Sequence, residues 1–192
     1  AQQPPPSPAH PAAPTAPGPG PLRVLGLDLS LTATGICLTD GATLTIKTRQ
    51  KDGDRRLVVI ADALTSMIGD GSTVDVAVIE DLPKHAMAAG ITGMVHGVAR
   101  SVLLRAGIPY ALVVPATLKA FATGKGAGDK TPMVMAAYKR AGREFGDDNQ
   151  CDAFWLRAAG LDWYGQPEFD LPKAQRERLA KVAWPAREAV QR

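Results

Sequence analysis

The chain has 192 residues, 45% of them apolar and 21% charged, with a formal net charge of +3. That length is enough for one domain with a real core, and the composition is that of an ordinary globular protein. No apolar run approaches the roughly 20 residues of a membrane span. Two cysteines, Cys37 and Cys151, are too few and too far apart for a disulfide framework or a zinc site, and are expected as buried thiols.

Residues 1 to 21 are mostly Pro and Ala and contain no Lys, Arg, Asp or Glu. Such a segment buries too little surface to offset its ordering, so a disordered or polyproline-like tail is expected. It lacks the charged start and apolar stretch of a signal peptide and the Arg of a transit peptide, which makes a cytoplasmic protein the expectation.

Order is expected from Leu22. Leu22 to Leu29 is nearly all apolar and reads as a strand buried on both faces. Thr34 to Thr39 and Ala42 to Thr48 follow as strands, and Asp40-Gly41 between them is a hairpin signal. Arg55 to Ile68 has helical spacing, with Leu57, Ile60, Ala61, Leu64 and Ile68 on one face and Gly69 and Gly71 after it. Val74 to Glu80 reads as a fourth strand. Lys84 to Ala106 reads as one or two helices, Tyr110 to Val114 as a fifth strand, and Pro115 to Ala122 as a short helix. After the glycine-rich loop Thr123 to Gly128, helices are predicted over Lys130 to Ala141 and Asn149 to Trp163, then a helix with a fraying basic end. An antiparallel meander followed by right-handed crossovers predicts a mixed five-stranded sheet flanked by helices.

Three acids stand where apolar elements end or begin. Asp28 closes the first strand, Glu80 closes the fourth, and Asp152 opens the last major helix with Trp155, Leu156 and Ala159 on its face. If the first and fourth strands are neighbours, Asp28 and Glu80 meet at one sheet edge. Clustered carboxylates repel one another, and hard divalent cations relieve this by taking their oxygens directly. Asn149 and Asp148 are both candidates for a fourth ligand, at i−3 and i−4 from Asp152. Asp147 and Asp148 also suit a helix cap. Basic residues cluster twice: Lys119, Lys125, Lys130, Lys139, Arg140 and Arg143, then six between Lys173 and Arg192. Such clusters suit a phosphate backbone, and equally a solvated face.

These residues resemble the RuvC resolvases over most of Leu22 to Leu161. Val24-Leu25-Gly26-Leu27-Asp28-Leu29-Ser30 with Thr34-Gly35 is similar to the family's first acidic strand and glycine-bearing second strand. Val78-Ile79-Glu80 is similar to its second acidic motif, and Pro115 to Lys119 with Thr123 to Lys130 to its basic segment. Asn149-Gln150-Cys151-Asp152-Ala153 is similar to its final acidic helix. The resemblance implies an RNase H-like α/β fold and a structure-specific endonuclease that resolves Holliday junctions by paired symmetric cuts. It implies Mg²⁺ or Mn²⁺, two ions per site, held by Asp28, Glu80 and Asp152. Lys119 and Lys130 become phosphate or transition-state contacts, and Lys125 adds backbone affinity. It also implies four-way-junction DNA as substrate, a homodimer, and a branch-migration partner. Two departures stand out. Asn149 occupies a position where many relatives carry Asp or His. Asp81 to His85 lacks the aromatic that some relatives carry after the Glu, with His85 or Met87 as substitutes. The implied organisation is a tail over 1–21, a nuclease domain over 22–165 and a basic extension over 166–192.

Rival readings are a flap or fork nuclease of the same fold, a non-catalytic DNA-binding partner, and an actin-like ATPase. The ATPase normally needs two such domains, and Gly124-Lys125-Gly126 does not have the frame of a nucleotide-binding P-loop.

Overall fold

The computed structural model describes residues 20–82, 89–127 and 131–190. Five strands form one mixed sheet: β1 (Val24–Asp28), β2 (Ala33–Cys37), β3 (Thr43–Lys47), β4 (Val76–Glu80) and β5 (Tyr110–Val113). Their order across the sheet is β3-β2-β1-β4-β5. β1 runs antiparallel to β2, and β2 to β3. β4 runs parallel to both β1 and β5. The predicted mixed sheet, antiparallel meander first and parallel strands after, is the observed one.

Local chemistry sets the boundaries. At the β2–β3 hairpin, Gly41 has φ +89° and the Asp40 carboxylate accepts from the Ala42 N–H at 2.9 Å. That pairing of a left-handed glycine with an Asx-type bond is what turn residues supply. Helix α1 (Arg55–Ile68) ends at Gly69, whose positive φ lets its N–H reach back to the Thr65 carbonyl. The described part of the next helix, α2, is Ala89–Arg105. Helix α3 (Pro115–Thr123) has proline in its first turn, where no N–H is needed, and stops at left-handed Gly124. α4 (Thr131–Ala141) and α5 (Asp148–Trp163) follow.

The sheet is covered on both faces. Leu25, Leu27, Ala77 and Ile79 point to one side and bury against Ile60, Leu64 and Ile68 of α1 and Val95, Ala99 and Leu103 of α2. Val24, Val76 and Val78 point to the other, against α5. There Trp155 is fully buried among Phe121, Phe154 and Phe169, and its indole N–H donates to the Met133 carbonyl at 3.1 Å.

Every residue of α5 from Cys151 to Asp162 is buried, Trp155, Leu156 and Ala159 among them. One expectation is corrected. The segment after Trp163 is not a helix with a fraying end. It forms α6 (Lys173–Arg176), a 3-10 turn (Glu177–Lys181) and α7 (Arg187–Val190), and Leu171, Leu179 and Val190 are buried in the same core as Trp155.

Candidate active site at the carboxyl edge of the sheet

Strand alternation decides where the acids point. Val24 faces α5 and Leu25 and Leu27 face away, so Asp28, four residues after Val24, lies on the α5 side. The same alternation in β4 puts Val76 and Val78 toward α5, and with them Glu80. β1 and β4 are parallel neighbours in the register Leu27↔Ile79, so the next step along each strand brings Asp28 and Glu80 side by side. Both are half-buried. Two carboxylates therefore share one face at the carboxyl edge of two adjacent strands.

Helix α5 starts over the same edge. Its N-cap is Asp147, one of whose carboxylate oxygens accepts from the Gln150 N–H at 3.0 Å. The other accepts from the Thr45 hydroxyl at 2.7 Å, and the Gln150 side-chain amide donates to that hydroxyl at 3.0 Å. These bonds peg the first turn of α5 to β3. Further along, the helix lies directly on glycine. A Cβ on Gly35 would collide with the Asn149 backbone, and one on Gly26 with the Ala153 carbonyl. Gly35 is the register partner of Asp28. Asn149 therefore sits over the strand position beside Asp28, and Ala153 over Gly26, two residues before it. Asp152 falls between these two anchors and is 6% exposed. The helix N-terminus supplies partial positive charge close to the acids.

The two candidates for a fourth oxygen separate here. Asp148 is exposed, whereas Asn149 is half-buried with its Cβ against Gly35. Among the described residues, no three or more His, Cys, Asp and Glu side chains gather as a ready-made metal site. What the fold provides is placement: Asp28 and Glu80 end adjacent strands on the face where the first turns of α5 carry the further oxygen donors Asn149 and Asp152. That donor set suits Mg²⁺ or Mn²⁺ and does not suit a soft metal.

The basic residues divide. Helix α3 begins two residues after Val113, the register partner of Glu80, so its first turns start at the acidic edge. It carries Lys119, half-buried. Thr123 ties Lys119 to the following loop: its hydroxyl lies 2.8 Å from the Lys119 carbonyl, and the Lys125 N–H donates to it at 3.2 Å. Lys119 and exposed Lys125 line one cavity of about 210 Å³ with Met133. Lys130 lies outside the described residues, as do His85 and Met87. Four arginines of the basic clusters are used inside the fold. Arg140 donates to the Asp170 carbonyl, Arg143 to that of Gly41 and Arg187 to that of Tyr164, and Arg176 pairs with Asp162 at 2.9 Å.

The helix cap expected at Asp147 is observed, but sequence reading missed its extension through Gln150 and Thr45 to β3. The signal was present, since Asp and Gln three residues apart before an apolar run form a capping-box pattern. It also missed Arg157, which is 7% exposed and pairs with Glu168 at 2.6 Å while donating to the Thr39 carbonyl at 3.0 Å. Cys37 and Cys151 are both buried, as expected. Burial pushes the Cys37 thiol up to about 12. Among the described residues no helix is long and apolar enough to cross a membrane.

No family model matches the chain. Curated proteins do. It is 33% identical over 130 residues to the crossover junction endodeoxyribonuclease RuvC of Paenarthrobacter aurescens strain TC1, covering 62% of this chain and 68% of that protein. It is 32% identical over 120 residues to the RuvC of Leifsonia xyli subsp. xyli, covering 57% of this chain and 58% of that one. Among solved structures, Thermus thermophilus RuvC matches with a TM-score of 0.63 at 16% identity, covering 76% of this chain and 98% of that one. T. thermophilus RuvC in complex with Holliday junction substrate matches with a TM-score of 0.62 at 17% identity, covering 76% and 97%.

Proposed function

The chain belongs to the RuvC family of crossover junction endodeoxyribonucleases, and on that premise we propose that it resolves Holliday junctions by two symmetric phosphodiester cuts. The observation that carries the reading is the convergence of Asp28 and Glu80, last residues of adjacent parallel strands, on the face where α5 begins.

In this reading Asp28, Glu80 and Asp152 hold the divalent metal, with Asn149 as the fourth donor in preference to exposed Asp148. When bound, a pair of Mg²⁺ or Mn²⁺ ions supplies Lewis acidity toward the scissile phosphate. The chain does the rest. Lys119, Lys125 and Lys130 grip the phosphate backbone and offset the negative charge that develops on it. The peg from β3 to the first turn of α5 fixes Asn149 and Asp152 against the strands, so the donors need little reorganisation. The tied arginines leave the C-terminal cluster a smaller part in DNA binding than its charge count suggests. Substrate and enzyme meet in the cytoplasm.

A four-way junction needs two cuts related by a dyad, which a twofold dimer supplies. Gly90, Gly93 and Gly97 support that assembly. They recur along α2, and a Cβ on any of them would meet none of the described residues within 4 Å, so they do not serve close approach to the described sheet. A second copy's helix could come close there.

A cleavage panel tests the proposal: a four-way junction, a fork, a flap and a linear duplex, each with Mg²⁺ and with EDTA. Paired cuts in the four-way junction alone, lost in EDTA, are expected. Preference for the flap or fork would transfer the same chemistry to other branched DNA. Asp28→Asn should abolish cutting and spare junction binding, and full activity in that variant would remove Asp28 from the ligand set.

A further inference from the structure

Eight of the chain's 16 prolines precede Gly20. Pro5, Pro8, Pro11, Pro14 and Pro17 recur at every third position. Three residues is the period of a polyproline II helix, so in that conformation all five rings line one edge. The segment before Gly20 has no charged side chain of the Lys, Arg, Asp or Glu type.

The described chain begins, at Gly20, beside an aromatic platform. The Gly20 carbonyl accepts from the Gln166 side chain at 3.2 Å, and the Leu22 N–H donates to the same side chain at 2.7 Å. Three residues before Gln166 stands Trp163, 41% exposed and stacked on Trp184 with centroids 5.5 Å apart and planes 14° from parallel. The lower ring is fixed from beneath. The Trp184 indole donates to the Leu179 carbonyl at 2.9 Å, its edge meets Tyr164, and the Tyr164 hydroxyl donates to the Pro185 carbonyl at 2.8 Å. A partly exposed aromatic ring braced by a stacked partner is the kind of surface on which proline rings pack in polyproline recognition.

Charge disfavours a nucleic-acid occupant. The cleft beside Trp163, about 560 Å³, is lined by Leu171, Asp170, Lys173, Arg176 and Glu177 among others. Arg176 is paired with Asp162 and Lys173 with Glu177, and Asp170 adds a third acid to the lining. A cleft with three acids and two paired cations repels a phosphate strand and sets no such barrier to an uncharged segment. Reach is no obstacle: at about 3.1 Å per residue, 19 residues span roughly 60 Å.

We propose that the Trp163–Trp184 platform docks the proline edge of residues 5–17 of the same chain. The dock lies at the end of α5 away from Asp152, eleven positions and so about 16 Å along the helix, and is independent of the nuclease reading.

The experiment uses the full chain labelled with 5-fluorotryptophan. It compares the native tail with a tail of equal length carrying serine at Pro5, Pro8, Pro11, Pro14 and Pro17. Buried Trp155 reports that the fold is unchanged. The serine tail should move the Trp163 resonance and raise its accessibility to a soluble gadolinium chelate severalfold. A synthetic peptide of residues 1–19 should return the resonance to its native position, with saturation. Identical Trp163 resonances and accessibilities in the two chains would overturn the proposal. So would a difference that grows with protein concentration, because the occupant would then be a second copy's tail.

Discussion

The two faces of the sheet are built from different materials. Toward α1 and α2 the strands present Leu25, Leu27, Ile36 and Ile79, and flexible aliphatic side chains fill the gap. Toward α5 they present glycine at Gly26 and Gly35, and the helix answers with Gly160, whose missing Cβ would come within 2.8 Å of Val24 and Val78. Side chains can shift to absorb a change; a backbone carbonyl on a glycine cannot. The face that carries Asp28, Glu80 and Asp152 is therefore the one where helix position is set most tightly. A site that must hold several oxygens to within a fraction of an ångström belongs on such a face.

The largest contrast should come from substitutions on the two faces. Gly26→Val drives two methyl groups into the Ala153 carbonyl and should cost more than the roughly 1–3 kcal/mol of ordinary overpacking. Denaturant unfolding should show it, or show no folded protein at all. Leu64→Ala on the other face leaves a cavity and should cost about 2–5 kcal/mol with folding intact. If the valine variant proved the milder of the two, the rigid-face argument would fail.

Asp28→Asn sharpens the comparison in a second way, through stability and not activity. The native chain should gain thermal stability as Mg²⁺ or Mn²⁺ rises, since a ligand that binds only the folded state stabilises it. The variant should lose that gain. Equal metal-induced shifts in the two chains would place the ion elsewhere.

Much of this was legible in the sequence. An apolar run that stops at an acid, twice, marked Asp28 and Glu80, and Asp40-Gly41 marked the hairpin of the meander; that β1 and β4 are neighbours was only a condition of the sequence reading, and the parallel register meets it. What was not legible depended on partners distant in the chain. Helix α5 is buried all round, so periodicity said nothing about which side meets the sheet. Arg157 lies within that apolar stretch and is satisfied only by Glu168 and the Thr39 carbonyl, which no local pattern announces. The C-terminal basic run looked like a solvated DNA tail because Asp162 and the Tyr164 carbonyl, which hold Arg176 and Arg187, approach only in the fold. Asn149 and Asp148 were indistinguishable by spacing; Gly35 separates them by accepting the Asn149 backbone.

Among the lysines a smaller effect is expected. Lys125→Ala should weaken junction binding about equally for all DNA sequences and reduce the steepness of its salt dependence by about one contact's worth, a slope change of ~1. An unchanged slope in filter-binding titrations across a salt series would remove Lys125 from the backbone contacts.

The smallest effect belongs to the face without glycine. His96 of α2 is 3% exposed, and burial, then the neighbouring Arg100 charge, lower its pKa, with Asp81 pulling the other way. Its folded value thus lies below its unfolded one. The unfolded chain binds the proton first, so the stabilising term is fully present above the unfolded pKa, near 6.5. It fades as pH falls toward and through the folded value. Unfolding midpoints measured between pH 7 and pH 5 should drop more for the native chain than for His96→Gln, which cannot take up the proton. Parallel pH dependences would mean that the His96 pKa is the same in the folded and unfolded chains, with Asp81 offsetting burial and Arg100.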